Sequence, residues 1–382
     1  MRLEDFHKLC SNELLEAIES NIHRKVDAIA LDKKIPHAAL VATQVKYLQR
    51  AASKLPSYFA ARCIIPALSF EQASSERVAA LKELHGERLL DLTCGLGVDS
   101  LHFSKSFRRV VSIERDETLA AIARENFRRM GVDNIEVVCC SAEEYLATCD
   151  EHFDWIYADP DRRGEAGEKL VRLEECSPNI LSLTSDIERV AGGRFMIKNS
   201  PLFDVDEAFR LFSPSHVEVI SMGDECKEVL ISRSDEDILT ARTLLRGSKS
   251  VKRHEVQQIF CSEEFEKDRY KYLIIPDVAL QKARLVSTAL RGVADIWSNN
   301  GFGFAIEQPS DIMGRTFEID HIEEYTPKAL RRMLTSKRVE ILKRDFPYST
   351  SKIIEQLKIK EGGDCRIAFT KVGGHQIAIF LK

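Results

Sequence analysis

The apolar residues of this chain follow two different spacings in its first half. Residues 1 to about 60 place them at helical intervals, as in Leu14, Ala17, Ile18 and Ile22, which predicts a small helical region. From Arg88 the apolar residues instead form short runs separated by helix-length segments, a pattern typical of βαβ units and a parallel sheet. The runs predicted to be strands of this sheet are residues 89–92, 110–113, 135–139, 155–158 and 195–197.

Later apolar runs predict a less regular order of strands and helices. Residues 217–222 and 229–232 flank the turn-like Gly223-Asp224-Glu225, which predicts that the sheet ends in an antiparallel hairpin. Glycines and aromatic residues cluster farther on, at residues 300–304. The other predicted strands are 272–275, 315–319, 366–370 and 376–381, the last two joined by Gly373-Gly374, and the predicted helices of the tail are 328–334 and 349–357.

Length and composition restrict the class of protein. A chain of 382 residues is expected to contain more than one domain. Its 44% hydrophobic and 30% charged residues are typical of soluble globular proteins, and no apolar run approaches the roughly 18 residues of a membrane helix. Because the N-terminus also lacks the apolar core of a signal peptide, we expect a cytoplasmic protein without a membrane segment. The ten cysteines form no C-x-x-C pair or zinc pattern, which favours reduced thiols and no bound metal.

The net charge of −5 conceals an uneven distribution of charge. From Pro327 to Lys382 there are thirteen Lys and Arg residues against five Asp and Glu residues, so this tail is basic and the rest of the chain is acidic. A basic segment on an acidic body is compatible with a polyanionic partner such as RNA, and equally with an ordinary solvated helix face.

Residues 89–100 carry the strongest indication of a ligand site. An apolar strand ending at Asp91 runs into a G-x-G turn and then into the start of a helix. Without a Cβ at Gly95 and Gly97 the backbone can turn sharply and lie against a nucleoside cofactor at the carboxyl end of the first strand. An ordinary tight strand-to-helix turn would give the same spacing. The cofactor-binding candidates of this segment are Asp91, Thr93, Cys94, Gly95 and Gly97.

Two features favour S-adenosylmethionine (SAM) over a dinucleotide as the ligand. The third glycine of dinucleotide sites is missing, and SAM has no pyrophosphate that needs a helix N-terminus. The second predicted strand ends at Glu114, with Arg115 after it, where a carboxylate can accept hydrogen bonds from both ribose hydroxyls. The third strand leads into Ser141-Ala142-Glu143, where Ser141 or Glu143 is the candidate to contact the adenine amino group. Glu114, Arg115, Ser141 and Ala142 are therefore further cofactor-binding candidates. A nicotinamide-dependent oxidoreductase is the weaker alternative.

The fourth predicted strand ends in Asp159-Pro160-Asp161-Arg162-Arg163. In enzymes that methylate amines, an Asp or Asn followed by Pro-Pro and an aromatic residue orients the target nitrogen toward the methyl carbon. Here Asp161 replaces the second proline and Arg162 replaces the aromatic residue, so the acceptor atom stays open. The first four residues are the catalytic candidates, and Asp159 is also a cofactor-binding candidate. Arg162 and Arg163 either bind a phosphate or base edge of the substrate or pair with Asp159 and Asp161.

Two further segments fall where loops should line the acceptor pocket. Lys198 and Ser200 follow the fifth predicted strand, and Lys227 lies in the predicted hairpin, so these three residues are also substrate-binding candidates. Lys227 and Glu228 equally fit a surface ion pair. Cys226 is a conceivable nucleophile for cytosine C5 methylation, but the fourth-strand loop has no Pro-Cys motif, so we interpret Cys226 as an inert thiol.

The order of these motifs resembles a bacterial family, the class I SAM-dependent methyltransferases that carry a THUMP-like C-terminal domain. The resemblance covers nearly the whole chain and rests on residues 71–76, 91–100, 159–163, 200–201, 225–228 and 272–283. It implies an α/β fold, in which a Rossmann-like class I methyltransferase sheet is combined with an N-terminal helical part and C-terminal ferredoxin-like and THUMP-like α+β modules. The implied boundaries are a helical N-terminal region at 1–80, a SAM-dependent methyltransferase domain at 81–235, a connecting region at 236–275, a ferredoxin-like domain at 276–319 and a THUMP-like domain at 320–382.

Because true THUMP domains bind RNA, the resemblance also implies an RNA substrate, such as tRNA or rRNA, and the basic tail agrees with this. We therefore expect methyl transfer from SAM to an RNA base, with an amino nitrogen as the favoured acceptor and no required metal. Two other hypotheses stay open: methylation of a protein or small molecule, and a non-catalytic RNA-binding protein with a vestigial SAM pocket. The oligomeric state stays open as well.

Overall fold

The computed structural model describes residues 1–161, 173–334, 336–363 and 365–382. The chain folds as two units. The first comprises residues 1–203 and 230–233, and the second comprises residues 204–229 and 234–382. The five-part division expected from the sequence is finer than this and stays a prediction.

Short helices form the beginning of the first unit, as the apolar spacing predicts. Side chains at their starts bind backbone N–H groups that have no partner within a helix: Ser11 accepts a hydrogen bond from Leu14 (3.4 Å), and Ser75 accepts one from Val78 (3.2 Å). Pro56 begins another helix, where its missing N–H costs nothing. These helices are α1 (Leu3–Leu9), α2 (Asn12–Asn21), α3 (Val26–Ala30), α4 (Ala38–Lys54), α5 (Pro56–Ala60), α6 (Ala67–Gln72) and α7 (Glu76–Ala79).

The five predicted apolar runs form parallel strands, which confirms that part of the prediction. They are β1 (Gly86–Asp91), β2 (Phe107–Glu114), β3 (Ile135–Cys139), β4 (Trp155–Ala158) and β5 (Phe195–Asn199), and they lie in the order β3-β2-β1-β4-β5. Asp91 lies beside Ser112 of β2 and Tyr157 of β4. Because parallel strands share one direction, their carboxyl ends meet at one edge of the sheet. The helices between them are α8 (Val98–Phe103), α9 (Glu117–Met130), α10 (Ala142–Thr148) and α11 (Thr184–Ala191).

The N-terminal helices share a core with this parallel sheet domain. Asn126 of α9 is fully buried; its amide accepts a hydrogen bond from the N–H of Ile64 (2.8 Å) and donates one to the carbonyl of Ile64 (2.9 Å). The buried Tyr58 hydroxyl donates to the carbonyl of Leu96 in the glycine turn (2.9 Å). Each such bond is costly to break, because a buried polar group left unpaired loses about 1–3 kcal/mol. The N-terminal region therefore supports the glycine turn directly.

The second unit starts with one helix and a group of strands: α12 (Val205–Phe212), β6 (Ser215–Met222), β7 (Glu225–Arg233), β8 (Ile238–Thr243) and β9 (Gly247–Lys252). Strand β7 is divided between the units, because its last four residues belong to the first unit. Gly223 and Asp224 link β6 to β7 with φ angles of 63° and 61°, as a two-residue type I′ turn requires. β8 pairs in parallel with β6 and antiparallel with β9.

Strands β8 and β9 were not predicted, because residues 236–275 were expected to be a connecting region. Every residue of β9 except Val251 is exposed, so the strand has no buried apolar face that could produce an alternating pattern. The strand pairs with β8 through backbone hydrogen bonds, and the hydrophobicity of the side chains does not indicate such pairing.

A second sheet forms most of the remaining chain. Its strands are β10 (Tyr272–Pro276), β11 (Asp295–Ile296), β12 (Gly303–Ala305), β13 (Gly314–Glu324), β14 (Arg338–Lys343), β15 (Lys360–Glu361), β16 (Cys365–Val372) and β17 (His375–Leu381), in the order β11-β12-β10-β13-β17-β16-β14-β15. The long strand β13 pairs with β10 through residues 314–318 and with β17 through residues 319–324, with a register shift between Ile319 and His321. It therefore crosses the boundary expected between residues 319 and 320.

The helices of this region are α13 (Val278–Lys282), α14 (Val286–Leu290), α15 (Pro327–Met333) and α16 (Thr350–Leu357). The last two confirm the helices predicted in the tail, and Ser349 caps α16 by accepting a hydrogen bond from Lys352 (3.2 Å). Strand β14 was not predicted, because it is short, its apolar residues form no continuous run, and Val339 alone among its six residues is fully buried. Among the residues that the structure describes, no helix is both long enough and apolar enough to cross a membrane.

Candidate functional site

Asp91 lies at the carboxyl end of β1 and is the centre of a buried hydrogen-bond network. Its side chain is 1% exposed and accepts hydrogen bonds from the N–H of Thr93 (2.9 Å) and the hydroxyl of Ser100 (2.5 Å). The hydroxyl of Ser112 donates in turn to Ser100 (3.0 Å). Burial raises the pKa of Asp91 to about 7, although these hydrogen bonds oppose the shift. Asp91 thus fixes the start of the glycine turn rather than facing solvent.

Glu114, at the end of β2, holds the middle of the same turn. One carboxylate oxygen accepts the N–H of Gly95 (2.8 Å), and the other accepts the N–H of Asp116 (2.9 Å). Burial raises the pKa of Glu114 above its usual range, and the two backbone hydrogen bonds oppose the shift. A carboxylate has about four acceptor positions, so two of them stay available for a ligand.

The two glycines of the turn are required for different reasons. Gly95 has a φ of 54°, and a Cβ added there would meet no atom within 4 Å. Gly97 has a φ of 86°, and its added Cβ would lie 2.5 Å from Cζ of Phe127 in α9. Only Gly95 therefore leaves open space beside the turn. The absent side chain of Gly97 makes room for α9, and a contact of either glycine with a bound cofactor stays a prediction.

Thr93 and Cys94 complete the turn. The hydroxyl of Thr93 accepts the N–H of Asp159 (2.7 Å), which joins the end of β1 to the end of β4. The N–H of Cys94 donates to the carbonyl of Ile113 (2.8 Å). The thiol of Cys94 is buried, and burial raises its pKa well above the usual value, so it stays protonated and unreactive.

Asp159 is ion-paired with Lys198, which lies in β5. The Asp159 side chain keeps 32% of its surface exposed, whereas Lys198 keeps 12%. The structure therefore brings together one residue predicted to be catalytic and one predicted to bind substrate. The sequence offered Arg162 and Arg163 as partners of Asp159, but both lie outside the described residues.

A second ion pair is linked to the first by charge, because Lys198 also acts on Asp99. The ammonium of Lys82, which is fully buried, lies 2.9 Å from one carboxylate oxygen of Asp99 in α8. The hydroxyl of Tyr157 donates to the other oxygen (2.8 Å). Burial alone would raise the pKa of Asp99, but the charges of Lys82 and Lys198 outweigh it and hold the pKa at about 2. Lys82, Asp99, Lys198 and Asp159 are called the ion-pair cluster below.

Nothing in the sequence indicates that Lys82 belongs to this cluster. Lys82 stands among charged and apolar residues in a segment without a motif, and a lysine in such a context is normally exposed. Its partner Asp99 lies seventeen positions later, and only the fold joins them. Tyr58 was missed for the same reason, since a tyrosine in an apolar helix face is usually a core residue.

The other candidates at the predicted adenine loop have structural partners. Ser141 caps α10 by accepting the N–H of Glu144 (3.1 Å), and the Glu144 side chain accepts hydrogen bonds from the N–H and hydroxyl of Ser141. Ala142 is buried, and Glu143 is exposed. The hydroxyl of Ser141 is thus already engaged, so its contact with adenine stays a prediction that would require exchange of this capping bond.

The loop after β4 is tied back to the protein by backbone pairing. Asp161 and Ser177 exchange two hydrogen bonds of 2.8 and 3.0 Å. The guanidinium of Arg115 donates to the hydroxyl of Ser177 (3.0 Å), the residue that pairs with Asp161, and a contact of Arg115 with the cofactor stays a prediction. Pro160 lies buried between Asp159 and Asp161.

The remaining substrate-binding candidates occupy different units. Ser200 is buried in the first unit, and its hydroxyl accepts the N–H of Leu202 (3.1 Å). Lys227 belongs to the second unit, where it pairs with Glu225. Burial raises the pKa of the neighbouring Cys226 to about 11, which agrees with its interpretation as an inert thiol.

A cavity of about 620 Å³ lies at the opposite edge of the parallel sheet. It is lined by residues at the amino ends of the first three strands, including Glu87, Arg108 and Glu136. Open α/β sheets bind ligands outside the carboxyl ends of their strands. We therefore place the candidate site at the Asp91 edge and not in this cavity.

Two parts of the chain match known protein families. Residues 89–161 match the family described as methyltransferase domain, and residues 314–382 match the one described as THUMP domain-like. The first match contains the glycine turn, Glu114 and Asp159, and the second begins at the first residue of β13. The chain thus combines a Rossmann-like methyltransferase domain with a THUMP-like C-terminal domain in an α/β fold.

Bacterial RNA methyltransferases are similar to part of the chain. The 23S rRNA (uracil(1939)-C(5))-methyltransferase RlmD of Xanthomonas campestris is 37% identical over 90 residues, which are 23% of this chain and 20% of RlmD. The 23S rRNA (uracil(747)-C(5))-methyltransferase RlmC of Pectobacterium atrosepticum is 26% identical over 218 residues, 54% of this chain and 55% of RlmC. The chain thus spans between a fifth and about half of the length of these relatives.

A solved structure shares the fold over almost the whole chain. It is that of a candidate methyltransferase from Porphyromonas gingivalis W83, with a TM-score of 0.81 and 24% sequence identity. The similarity covers 97% of this chain and 98% of the other. The combination of a methyltransferase sheet with the surrounding modules therefore exists in a second protein.

Proposed function

We propose that this protein is a SAM-dependent methyltransferase that modifies a base of RNA, with an exocyclic amino nitrogen as the favoured acceptor. The observation that carries the proposal is the edge of the sheet where the glycine turn, Glu114 and the Asp159–Lys198 pair meet. The THUMP-like domain, the basic tail and the RNA methyltransferase relatives support RNA as the substrate class.

The residues at this edge fit SAM. The open space beside Gly95 admits a ligand against the backbone, and the two acceptor positions left on Glu114 suit a pair of ribose hydroxyls. Asp91 contributes indirectly, because its buried carboxylate binds Thr93 and Ser100 and so holds the turn in shape. When bound, SAM supplies an electrophilic methyl group on a sulfonium sulfur.

Asp159 would orient the acceptor. Its partly exposed carboxylate can accept hydrogen bonds from an amino group, so that the nitrogen lone pair faces the methyl carbon, and it can take the proton that the nitrogen loses after transfer. Lys198 restrains the carboxylate until the substrate binds. Positioning of this kind contributes roughly 7–11 kcal/mol in well-oriented reactions.

The test is methyl transfer from radiolabelled SAM to total RNA of a strain that lacks the gene, with the wild type and Asp159→Asn. Loss of one preorganised polar group should lower the rate about 10²–10³-fold, while S-adenosylhomocysteine still raises the melting temperature of the variant. The matched control is Asp186→Asn, because Asp186 forms a surface ion pair with Arg189 on α11. A protein stabilised by NADH instead of S-adenosylhomocysteine, or an Asp159→Asn variant with wild-type transfer, contradicts the proposal.

Methylation at uracil C5 is the second candidate, since RlmD and RlmC are named for that reaction. Uracil C5 is a weak nucleophile, and a thiolate that adds to the ring is one way to activate it. Burial raises the thiol pKa of Cys94, Cys140 and Cys226, so these three thiols are not activated in the free protein. Mass spectrometry of the nucleosides from the methylated RNA separates the candidates, because an N-methylated purine or cytidine indicates the first and 5-methyluridine the second.

A further inference from the structure

The second unit contains a polar cleft that the proposed methyl-transfer site does not use. Its volume is about 520 Å³, within the range of about 300–1,000 Å³ typical of small-molecule sites. It forms where the start of α12, the segment before β10, helix α13 and the loop after β11 come together. That last loop precedes the cluster of glycines and aromatic residues noted in the sequence.

Four amide side chains line the cleft: Gln258, Gln281, Asn299 and Asn300. Two of them fix the wall, because Asn299 Nδ2 donates to the carbonyl of Gln281 (2.8 Å) and Gln281 Nε2 donates to the carbonyl of Asn299 (3.4 Å). The Oδ1 atom of Asn299 is buried and has no hydrogen-bond partner among the described residues. Amides carry donors and acceptors side by side, which is the pattern that matches the edges of nucleobases.

The charged residues of the cleft favour an anion. Lys282 and Arg284 line it together with one carboxylate, Asp204. Arg284 is committed to ion pairs with Asp206 and, at 3.6 Å, with Asp204. Over the part of the chain that the structure describes, Lys282 has no carboxylate within ion-pair distance, so its ammonium is available to a ligand. A lysine in this state is a common phosphate contact.

We propose that this cleft binds a nucleotide, with the amides of Gln258, Gln281 and Asn300 at the base edge and the Lys282 ammonium at the phosphate. The nucleotide is either one unit of an RNA strand, in which case the inference rests on the proposed function, or a free nucleoside monophosphate. Both sources share the chemistry of a base joined to a phosphate.

The experiment measures binding to the full-length protein in two arms. Calorimetry with AMP, GMP, CMP and UMP tests the free nucleotide, and fluorescence anisotropy with labelled single-stranded oligoribonucleotides tests the strand. The variants are Lys282→Ala and Asn300→Ala, and the control is Lys249→Ala, which removes the same charge from the exposed strand β9 of the same unit. Thermal melting and circular dichroism confirm that each variant is folded.

We expect Lys282→Ala to weaken binding about tenfold in whichever arm binds, and in the strand arm to reduce the slope of log affinity against log salt by about 0.7, as the loss of one phosphate contact predicts. Asn300→Ala should weaken binding while leaving that slope unchanged, because an amide carries no charge. Binding in either arm with these effects supports the cleft and identifies the source of the nucleotide.

Two outcomes overturn the inference: no nucleotide binds in either arm, or Lys282→Ala and Lys249→Ala weaken binding equally. Neither outcome bears on methyl transfer, which is measured separately with radiolabelled SAM. Conversely, a protein that binds nucleotides at Lys282 but transfers no methyl group would retain the cleft and lose the proposed function.

Discussion

Replacing Lys82 with methionine should destabilise the first unit more than any exposed charge substitution. Methionine has nearly the length of lysine but no charge, so the change leaves Asp99 buried without its closest cation. The pKa of Asp99 is about 2, against about 3.9 for a free Asp side chain. A pKa difference of this size means that the contacts of Asp99 in the folded protein stabilise its charged form by about 2–3 kcal/mol, even after the cost of burial is subtracted.

Without Lys82 the largest part of this favourable interaction is lost, and Lys198 and Tyr157 compensate the cost of burying the carboxylate only in part. Breaking one partner out of a buried ion pair typically costs about 3–5 kcal/mol, and we expect a loss of that size in the free energy of unfolding of Lys82→Met. The measurement is urea denaturation at pH 7. The control is Lys8→Met, because Lys8 forms an exposed pair with Glu4 on α1 and should change stability by less than about 1 kcal/mol.

A double-mutant cycle separates the ion pair from general damage to the core. Asp99→Asn leaves a lysine buried, and the double variant Lys82→Met with Asp99→Asn leaves no charge of the pair behind. The double variant should therefore recover much of the stability lost by Lys82→Met, with a coupling energy of about 2 kcal/mol or more. Additive losses, or a Lys82→Met variant within about 1 kcal/mol of the wild type, would refute the interpretation.

Three further predictions concern the glycine turn. Glu114→Gln keeps the shape of the side chain but loses its charge, so the affinity for S-adenosylhomocysteine in calorimetry should fall about 10–100-fold. Gly97→Ala should lower the free energy of unfolding in urea by about 2–4 kcal/mol, because the residue has a positive φ and the new Cβ would also collide with Phe127. Gly95→Ala should lower it by only about 1–2 kcal/mol, because the positive φ is then the single cost. The pKa of Asp91 in the folded protein, about 7, lies above the value of about 3.9 in the unfolded chain, so the free energy of unfolding should fall as the pH rises from about 4 to 7. Asp91→Asn removes this ionisation. In urea titrations the variant's free energy of unfolding should therefore fall by up to about 4 kcal/mol less than that of the wild type over the same pH range.

The sequence allowed the edge that carries the candidate site to be predicted, because each of its residues ends or follows an apolar run. Asp91, Glu114 and Asp159 end or follow the first, second and fourth strands, and Lys198 lies near the end of the fifth. Once the runs are recognised as parallel strands, their ends must meet at one edge. Which residues then pair with each other was not predictable: the sequence suggested Arg162 and Arg163 as partners of Asp159, and the structure pairs Asp159 with Lys198.

The residues that the sequence did not reveal act through contacts across the fold. Lys82 and Tyr58 precede the first strand, and nothing in their neighbourhood distinguishes them from an exposed lysine and a core tyrosine. The same applies to Asn299. Its side-chain Nδ2 donates to the carbonyl of Gln281 in another element, and its Oδ1 atom is buried, but neither fact can be inferred from the residues next to it in sequence. Periodicity predicts whether a position faces the core, but it contains no information about which polar group lies opposite.

The glycine turn is held from several directions before any ligand binds. Asp91 takes the N–H of Thr93, Glu114 takes the N–H of Gly95, and the Tyr58 hydroxyl binds the carbonyl of Leu96. Ordering a flexible loop when a ligand binds would cost roughly 1–2 kcal/mol of conformational entropy for each residue fixed. This turn is already ordered in the folded protein, so ligand binding would not include that cost. The buried carboxylates of Asp91 and Glu114, whose pKa values are raised, therefore have a structural role: their hydrogen bonds hold the turn in one shape without a bound ligand.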